Sequence, residues 1–273
     1  MIATHTPAQL PSLDDLPDIN ASLDGAEPHE IIKYAAATYG DTITMACSFQ
    51  DMVMLDIVAK VAPGIRVFTL DTGFLFKQTE DTIARARARY PELSIEVFHP
   101  LVNIFEQADE YGPRLYARDP EQCCAMRKLE PMQRALSGYS AWMTGIRRDQ
   151  SDTRADTQPL SWDIKWNIAK FAPMYAWSSD DIWTYAKIHD VPYNPMHDAG
   201  YPSIGCAPCT DVPDDDHHRS GRWSGSDKTE CGLHAEPAAA IGVPGRVDHP
   251  ADHGTPDEVL VETEPQNIGK DSS

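Results

Sequence analysis

Four of the six cysteines occur in two pairs whose spacing is typical of metal binding. Cys123 and Cys124 are adjacent, and Cys206 and Cys209 form a Cys-x-x-Cys pair. Consecutive Cα atoms lie about 3.8 Å apart, so two adjacent thiolates can reach different irons of one compact cluster. A [4Fe–4S] cluster takes four thiolates, whereas zinc sites usually use two spaced pairs. The spacing favours an iron–sulfur cluster and leaves zinc, or structural and redox-active cysteines, as alternatives.

Cys231 stands apart from the other cysteines, in the segment Lys-Thr-Glu-Cys-Gly-Leu-His. Lys228 and His234 flank it, and Arg219 and Arg222 precede it. Cationic neighbours lower the pKa of a thiol and increase its thiolate fraction. The pattern predicts a reactive nucleophile, with an inert exposed thiol as the alternative.

For both Lys128 and Cys47, the simplest interpretation of the sequence gives no role in catalysis. Lys128 follows Cys124 by four residues, so the two side chains share one face of a helix. On spacing alone a solvated lysine is the simpler reading, and a cation between an anionic cluster and an anionic substrate is the alternative. Cys47 lies within an apolar strand pattern, which predicts a buried, inert thiol.

The overall charge restricts the classes of partner. The 23 basic and 42 acidic residues give a net charge of −19, which argues against nucleic-acid binding. No apolar run approaches the roughly 20 residues that span a bilayer, and the N-terminus lacks the pattern of a signal peptide. We therefore expect a cytoplasmic protein without a membrane partner, whose cysteines do not form a disulfide framework. The sequence leaves open whether the chain forms a homo-oligomer.

The hydrophobic patterns predict an α/β fold, with a parallel sheet covered by helices on both faces. Ligands of such sheets bind at the carboxyl ends of the strands. Arginines in a turn after a strand suit phosphate or sulfate. The predicted strands are 42–49, 66–73, 94–100 and 139–146, and the predicted helices are 27–39, 51–61, 76–90, 121–136 and 179–189. The turns expected to carry the chemistry are Ser48-Phe49-Gln50-Asp51, Leu70-Asp71-Thr72-Gly73 and Thr144-Gly145-Ile146-Arg147-Arg148.

These motifs together resemble one family. The chain is similar to the bacterial reductases of adenosine 5'-phosphosulfate (APS) within the phosphoadenylyl-sulfate reductase family. The resemblance covers roughly residues 28–235. The matching segments, in the order of the family, are CSFQD (47–51), LDTG (70–73), ECC with Lys128, TGIRRDQSDTR (144–154), YPSIGCAPC (201–209), RSGRW (219–223) and KTECGLH (228–234).

The resemblance implies a fold of the adenine-nucleotide hydrolase-like superfamily and assigns roles to individual residues. Cys231 would be the nucleophile, and Ser48, Phe49, Gln50 and Asp51 would form a modified pyrophosphate loop. This loop departs from the longer Ser-Gly-Ala-Glu-Asp form of many members. The implied ligands of a [4Fe–4S] cluster are Cys123, Cys124, Cys206 and Cys209. The residues implied around the phosphosulfate are Lys128, Arg147, Arg148, Arg219, Arg222 and His234, and we also expect substrate contacts from Leu70, Asp71, Thr72, Gly73 and Gly145.

The implied activity is reduction of APS to sulfite and AMP. The Cys231 thiolate would attack the sulfate sulfur, and an external dithiol such as thioredoxin would release sulfite from the resulting S-sulfocysteine. The alternatives are a reductase of the 3'-phosphorylated substrate (PAPS), a zinc-binding nucleotide-dependent regulatory protein, and an ATP-splitting adenylating enzyme. Members that prefer PAPS generally lack the four cluster cysteines, and the Gly-rich SGGxDS loop of the adenylating enzymes is absent from this sequence.

Composition predicts four regions along the chain. Residues 1–25 are expected to form a flexible arm, and residues 26–222 a nucleotide- and cluster-binding domain. Residues 223–235 would be a mobile catalytic segment. Residues 236–273 are rich in Pro, Asp and Glu, so we expect a disordered acidic tail.

Overall fold

A six-stranded sheet forms the centre of the protein. A computed structural model describes residues 10–213, 219, 221–223, 228 and 230–234. The strands are β1 (Ile43–Ala46), β2 (Arg66–Leu70), β3 (Ile95–Phe98), β4 (Ala141–Met143), β5 (Leu160–Asp163) and β6 (Ile168–Phe171). Their order across the sheet is β3-β2-β1-β4-β6-β5, and all neighbours are parallel except β5 and β6. The predicted mainly parallel sheet is confirmed.

Nine α-helices surround this sheet within the described residues. They are α1 (Leu16–Leu23), α2 (Pro28–Tyr39), α3 (Val53–Val61), α4 (Lys77–Arg89), α5 (Ile104–Tyr111), α6 (Leu115–Arg118), α7 (Pro120–Cys124), α8 (Glu130–Leu136) and α9 (Ser179–Ile188). A π-helical stretch, Ala125–Leu129, joins α7 to α8 within the region predicted as one helix. Such stretches frequently occur at functional sites.

Alternating side chains of the strands belong to two separate buried apolar clusters. Val67 of β2 and Met143 of β4 join the larger cluster, which includes side chains of α2, α3, α4 and α9. Phe68, which follows Val67 in β2, and Trp142, which precedes Met143 in β4, belong to a smaller cluster with Met132 of α8. Successive residues of a strand point to opposite faces, so helices cover both faces of the sheet, as predicted.

The antiparallel hairpin of β5 and β6 was not predicted from the sequence. Each strand has only four residues, and the polar residues Lys165 and Asn167 interrupt the apolar pattern between them. The hairpin extends the sheet beyond β4 and places Lys165 in its connection.

Part of the predicted N-terminal arm is regular structure. Helix α1 lies beside β5, where the Asn20 side chain donates from Nδ2 to Leu160 O at 2.8 Å and accepts from Leu160 N at 3.0 Å. The prediction of a flexible arm over 1–25 is therefore wrong for residues 16–23. An edge strand leaves backbone groups unpaired, and Asn20 satisfies two of them. Residues 1–9 lie outside the described residues.

We predict that Asn20→Ala lowers the free energy of unfolding by about 1–3 kcal/mol, because Leu160 loses both partners. Urea denaturation of the two proteins would measure this difference. Ser22→Ala in the same helix is the control, because Ser22 bonds only to Ile19 of its own helix among the described contacts. An equal effect of both substitutions would contradict the role of Asn20.

The order of the strands defines where a ligand can bind. From β1 the chain runs outwards to β2 and β3 on one side. It then returns to the other side of β1, where β4, β6 and β5 lie. In open α/β sheets, ligands bind at the carboxyl ends of the strands where this order reverses. Here that position lies between the turns after Ala46 of β1 and Met143 of β4.

Two further predictions are not covered by these elements. The acidic tail, 236–273, lies outside the described residues, as does much of the 223–235 segment. None of the described helices is both long and apolar enough to pass through a membrane.

Candidate active site

A cavity of about 210 Å³ lies at the carboxyl ends of β1, β2 and β4. Residues 231, 233 and 234 complete its wall, so it includes Cys231. The sequence-predicted site residues that line it are Ser48, Gln50, Asp51, Leu70, Thr72, Lys128, Gly145, Cys206, Arg219, Arg222, Cys231 and His234. Most of the predicted site residues therefore surround one cavity.

The loop after β1 has an unusual backbone. Phe49 adopts a positive φ of 55°, which is uncommon for a bulky residue. Its ring is fully buried, so Phe49 belongs to the core and does not line the cavity. The neighbouring Gln50 accepts a hydrogen bond from Ile204 N at 2.7 Å. The loop is thus fixed to the segment that leads to Cys206.

Two contacts hold the segment around Cys231 against the sheet. Lys165 Nζ donates a 2.6 Å hydrogen bond to Gly232 O. The ring of His234 stacks on Trp142, with centroids 5.5 Å apart and planes 5° apart. Burial and then Arg154, Lys170 and Arg219 hold the pKa of His234 well below its ordinary value. His234 is therefore a neutral ring here, not the cation that the sequence suggested.

The thiol of Cys231 is activated by its surroundings. Burial alone would raise its pKa, but Lys128, the backbone N–H of Leu233 and Arg222 outweigh this effect and lower the pKa. Lys228, which the sequence placed among the activating cations, pairs with Glu121. Cys231 is therefore favoured as a thiolate, the form that attacks electrophiles.

Lys128 is the buried cation that links Cys231 to the paired cysteines. It is 8% exposed and belongs to the π-helical stretch. Burial disfavours its charged form, but Cys206, Cys231 and Cys124 outweigh the burial and raise its pKa. The interpretation of Lys128 as a solvated helix lysine is therefore wrong.

We predict that iodoacetamide modifies Cys231 well before Cys47 at pH 8. The lowered pKa of Cys231 increases its thiolate fraction, whereas burial raises the pKa of Cys47 to about 12. Peptide mass spectrometry of anaerobically prepared protein would measure both sites. Equal labelling of the two cysteines would contradict the predicted activation.

The four paired cysteines lie close to one another. Cys123 and Cys124 are the last residues of α7, and the 3₁₀ turn Ala207–Cys209 follows Cys206. All four line one small enclosed space together with Phe74, Tyr116, Pro120, Arg127, Lys128 and Pro208. Two contacts tie the second pair to the turn after β2. Ala207 N donates to Phe74 O at 2.7 Å, and Cys206 Sγ lies 3.2 Å from Thr72 Oγ1.

These thiols disfavour one another's ionisation. Burial, followed by the neighbouring cysteines, raises the pKa of Cys123 to about 12. The same two causes raise the pKa of Cys209 to about 11. Burial also raises the pKa of Cys124. Within the described part of the chain, no group of three or more Asp, Glu, His or Cys side chains is arranged to hold a single metal ion.

Several predicted contacts lie outside the main cavity. Asp71 accepts a 2.8 Å hydrogen bond from Gly73 N, so both residues shape the turn after β2. Arg147 Nε donates to Asp149 at 2.9 Å and its Nη2 to Ser179 at 3.1 Å. Arg148 donates to Thr157 O and lies 4.7 Å from the Tyr175 ring. These two arginines line a neighbouring cavity of about 660 Å³.

The sequence analysis gave no site role to several residues that form the main cavity or hold its wall. Arg154 and Gln150 line it, and the side chain of Glu230 bonds to Arg154. Trp142 supports His234. Glu230 and Arg154 are 76 residues apart, so spacing could not reveal their contact.

Comparison with known proteins identifies the family. The chain belongs to the phosphoadenosine phosphosulfate reductase domain family, whose model matches residues 42–212. It is 44% identical to an adenosine 5'-phosphosulfate reductase of Halalkalibacterium halodurans, over 80% of this chain and 95% of the relative. An adenosine 5'-phosphosulfate reductase of Bacillus pumilus is 49% identical, over 75% of this chain and 89% of its own length.

A solved structure supports the same assignment. The phosphoadenylyl-sulfate (PAPS) reductase of Candida auris, in a phosphate complex, superposes with a TM-score of 0.64 at 26% identity. The alignment covers 74% of this chain and 98% of that one. The fold predicted from the family resemblance is therefore confirmed.

Proposed function

We propose that this protein reduces APS to sulfite and AMP in sulfate assimilation. The observation that carries the proposal is the position of Cys231, an activated thiol in a cavity at the reversal of strand order. Lys128, Arg219 and Arg222 give this cavity the positive charge that a phosphosulfate requires. The relatives named as APS reductases support the choice of substrate.

In the first step, the Cys231 thiolate attacks the sulfur of APS. A bond forms between Sγ and sulfur, the bond from sulfur to the bridging oxygen breaks, and AMP leaves with that electron pair. Lys128 and the two arginines stabilise the charge that develops on the phosphate. The protein then carries S-sulfocysteine at position 231.

In the second step, a dithiol reduces this intermediate. One thiolate attacks Sγ of Cys231, and sulfite leaves with the electrons of the bond between the two sulfurs. The second thiol of the donor attacks the mixed disulfide, which restores the Cys231 thiol and oxidises the donor. Cys47 also lines the cavity, but burial raises its pKa, so it is a poor candidate for the second thiol that releases sulfite. We therefore propose thioredoxin or a similar external donor. The cytoplasm keeps thiols reduced, so a dithiol donor and the four paired cysteines of this chain are consistent with a cytoplasmic protein.

We propose that Cys123, Cys124, Cys206 and Cys209 hold a [4Fe–4S] cluster. Three of these four neighbouring thiols are buried, and the pKa values of Cys123, Cys124 and Cys209 are raised, so the group suits a cationic iron centre that takes thiolates. A cluster binds each thiolate to a different iron, so its ligands need not converge on one point as those of a single ion do. The lack of a single-ion site among the described residues is compatible with this difference. When bound, the cluster would supply an electrostatic and structural centre beside Lys128.

Reduction of PAPS is the alternative, because the Candida auris structure is a PAPS reductase. Sulfite release from APS and from PAPS, measured side by side on anaerobically purified protein with thioredoxin, separates the two. We expect a much higher kcat/KM for APS and about four irons and four sulfides per chain. A higher kcat/KM for PAPS would contradict the proposed substrate, and stoichiometric zinc would contradict the proposed cluster.

A further inference from the structure

Glu230, the residue before Cys231, makes a bidentate ion pair with Arg154. Its Oε1 accepts from Arg154 Nε at 2.9 Å, and its Oε2 accepts from Arg154 Nη2 at 3.0 Å. The same Oε2 also accepts from Arg219 Nη2 at 3.0 Å. The three side chains are only 9–13% exposed. A buried, bidentate carboxylate–guanidinium pair is a strong and directional contact.

Arg154 is held in place by contacts other than the one with Glu230. It ends the 3₁₀ turn Asp152–Arg154, and its Nη1 donates to Gln150 Oε1. Gln150 Oε1 also accepts a 3.1 Å hydrogen bond from Arg147 N. The guanidinium is thus a fixed part of the cavity wall, and the carboxylate of Glu230 binds to it.

The contacts of residues 230–234 lie on both sides of Cys231. Glu230 is fixed on the N-terminal side, and Gly232 and His234 are fixed on the C-terminal side by Lys165 and Trp142. Loss of the Glu230 contact would remove the ion pair made by the residue directly before Cys231 and leave the one between Lys228 and Glu121, three residues before it. The position of Cys231 Sγ relative to Lys128 therefore depends on Glu230.

The two proposed chemical steps place opposite demands on this contact. Attack on APS requires Sγ to stay in the cavity close to Lys128, where the thiolate is favoured. Reduction by a protein dithiol requires access to Sγ of Cys231, a residue that is only half-buried in the described arrangement. A contact that holds Cys231 in the cavity helps the first step and hinders the second.

We propose that Glu230 is a positioning residue, whose ion pair with Arg154 and Arg219 docks Cys231 in the cavity for attack and must separate before the dithiol can react. This inference rests on the proposed role of Cys231 as the nucleophile. It assigns to Glu230 no contact with the substrate and no part in bond making.

The test separates the two steps in Glu230→Gln, which keeps the size of the side chain but removes its charge. Adduct formation is followed by rapid quench and intact mass with excess APS and no thiol. Release of sulfite is followed after the adduct is isolated and mixed with thioredoxin. We expect adduct formation to slow by about tenfold or more and sulfite release to become faster, because a buried charged hydrogen bond is lost.

A third measurement does not depend on APS. Because loss of the Glu230 charge also lowers the pKa of Cys231, alkylation is compared at the high-pH plateau of the rate, where the thiol is ionised in both proteins. There, the rate at which iodoacetamide alkylates Cys231 in the free enzyme should increase in Glu230→Gln, since the thiol spends more time outside the cavity. If the wild-type enzyme forms no adduct, the proposed nucleophile is wrong. Faster alkylation in the variant would still support docking by Glu230, and an unchanged rate would overturn it.

Glu80→Gln is the matched control, because Glu80 pairs with Lys77 in an exposed ion pair on α4. It should leave all three rates unchanged. Glu230→Asp retains the charge on a shorter side chain, so it should change the rates in the same directions by less, and it replaces Glu230→Gln if that variant does not fold. Equal slowing of both chemical steps, or rates equal to those of the control, would overturn the proposal.

Discussion

Replacing Cys231 with serine should abolish sulfite formation from APS while the protein keeps its iron. The hydroxyl of serine is a far weaker nucleophile than a thiolate, and Cys231 is not one of the four proposed ligands. We expect a loss of activity to below about one thousandth of wild type. Sulfite assays and iron analysis of the same preparation would measure both properties.

Cys47→Ser is the comparison for this variant. Cys47 has a pKa raised to about 12 by burial, so its removal should leave the adduct at position 231 intact. A Cys231→Ser protein that still formed the adduct would contradict the assignment of the nucleophile. One that folded but lost its iron would instead place Cys231 among the ligands.

Lys128→Met should lower the rate of adduct formation by about 100-fold or more, the loss typical when a buried group that stabilises charge is removed. After burial, which acts in the opposite direction, Lys128 is the first contributor to the lowered pKa of Cys231. Without Lys128 this pKa rises, so less thiolate is present at neutral pH. The pH dependence of alkylation at Cys231 should therefore move to higher pH.

Lys33→Met is the matched control, because Lys33 is an exposed residue of α2. It should change neither the rate nor the pH dependence. If Lys128→Met slowed adduct formation without moving the alkylation profile, Lys128 would act on the substrate alone. If it changed neither property, its proposed role would be wrong.

Local patterns in the sequence were sufficient to predict the main architecture. The apolar runs around β1, β2 and β4 predicted strands, and the polar turns after them predicted the ligand side of the sheet. The two cysteine pairs likewise predicted a shared space, in which the structure places them. The strands and turns depend on neighbouring residues, so they can be read from the chain directly, whereas the shared space of the distant cysteine pairs was inferred from the ligand chemistry of four thiols.

Features that depend on long-range contacts could not be predicted in this way. The sequence placed Arg147 and Arg148 in the turn after β4, but it could not show that their guanidiniums contact Asp149, Ser179 and Thr157. The neutral state of His234 depends on its burial, which the flanking sequence does not reveal.

The contact between Glu230 and Arg154 illustrates the same limit for the active site. Each residue appears in a motif of the family, but neither motif indicates that the two side chains meet. The missed hairpin of β5 and β6 has a similar cause, since its short strands are stabilised by pairing with β4 and with each other.

The most direct test of the central claim is one turnover of the wild-type enzyme with APS in the absence of any thiol. We expect one AMP released per chain, no free sulfite, and a mass gain of one SO₃ group that peptide mapping places on Cys231. Added thioredoxin should then release that sulfite quantitatively. Free sulfite without a thiol, or an adduct on any other cysteine, would contradict the proposed mechanism.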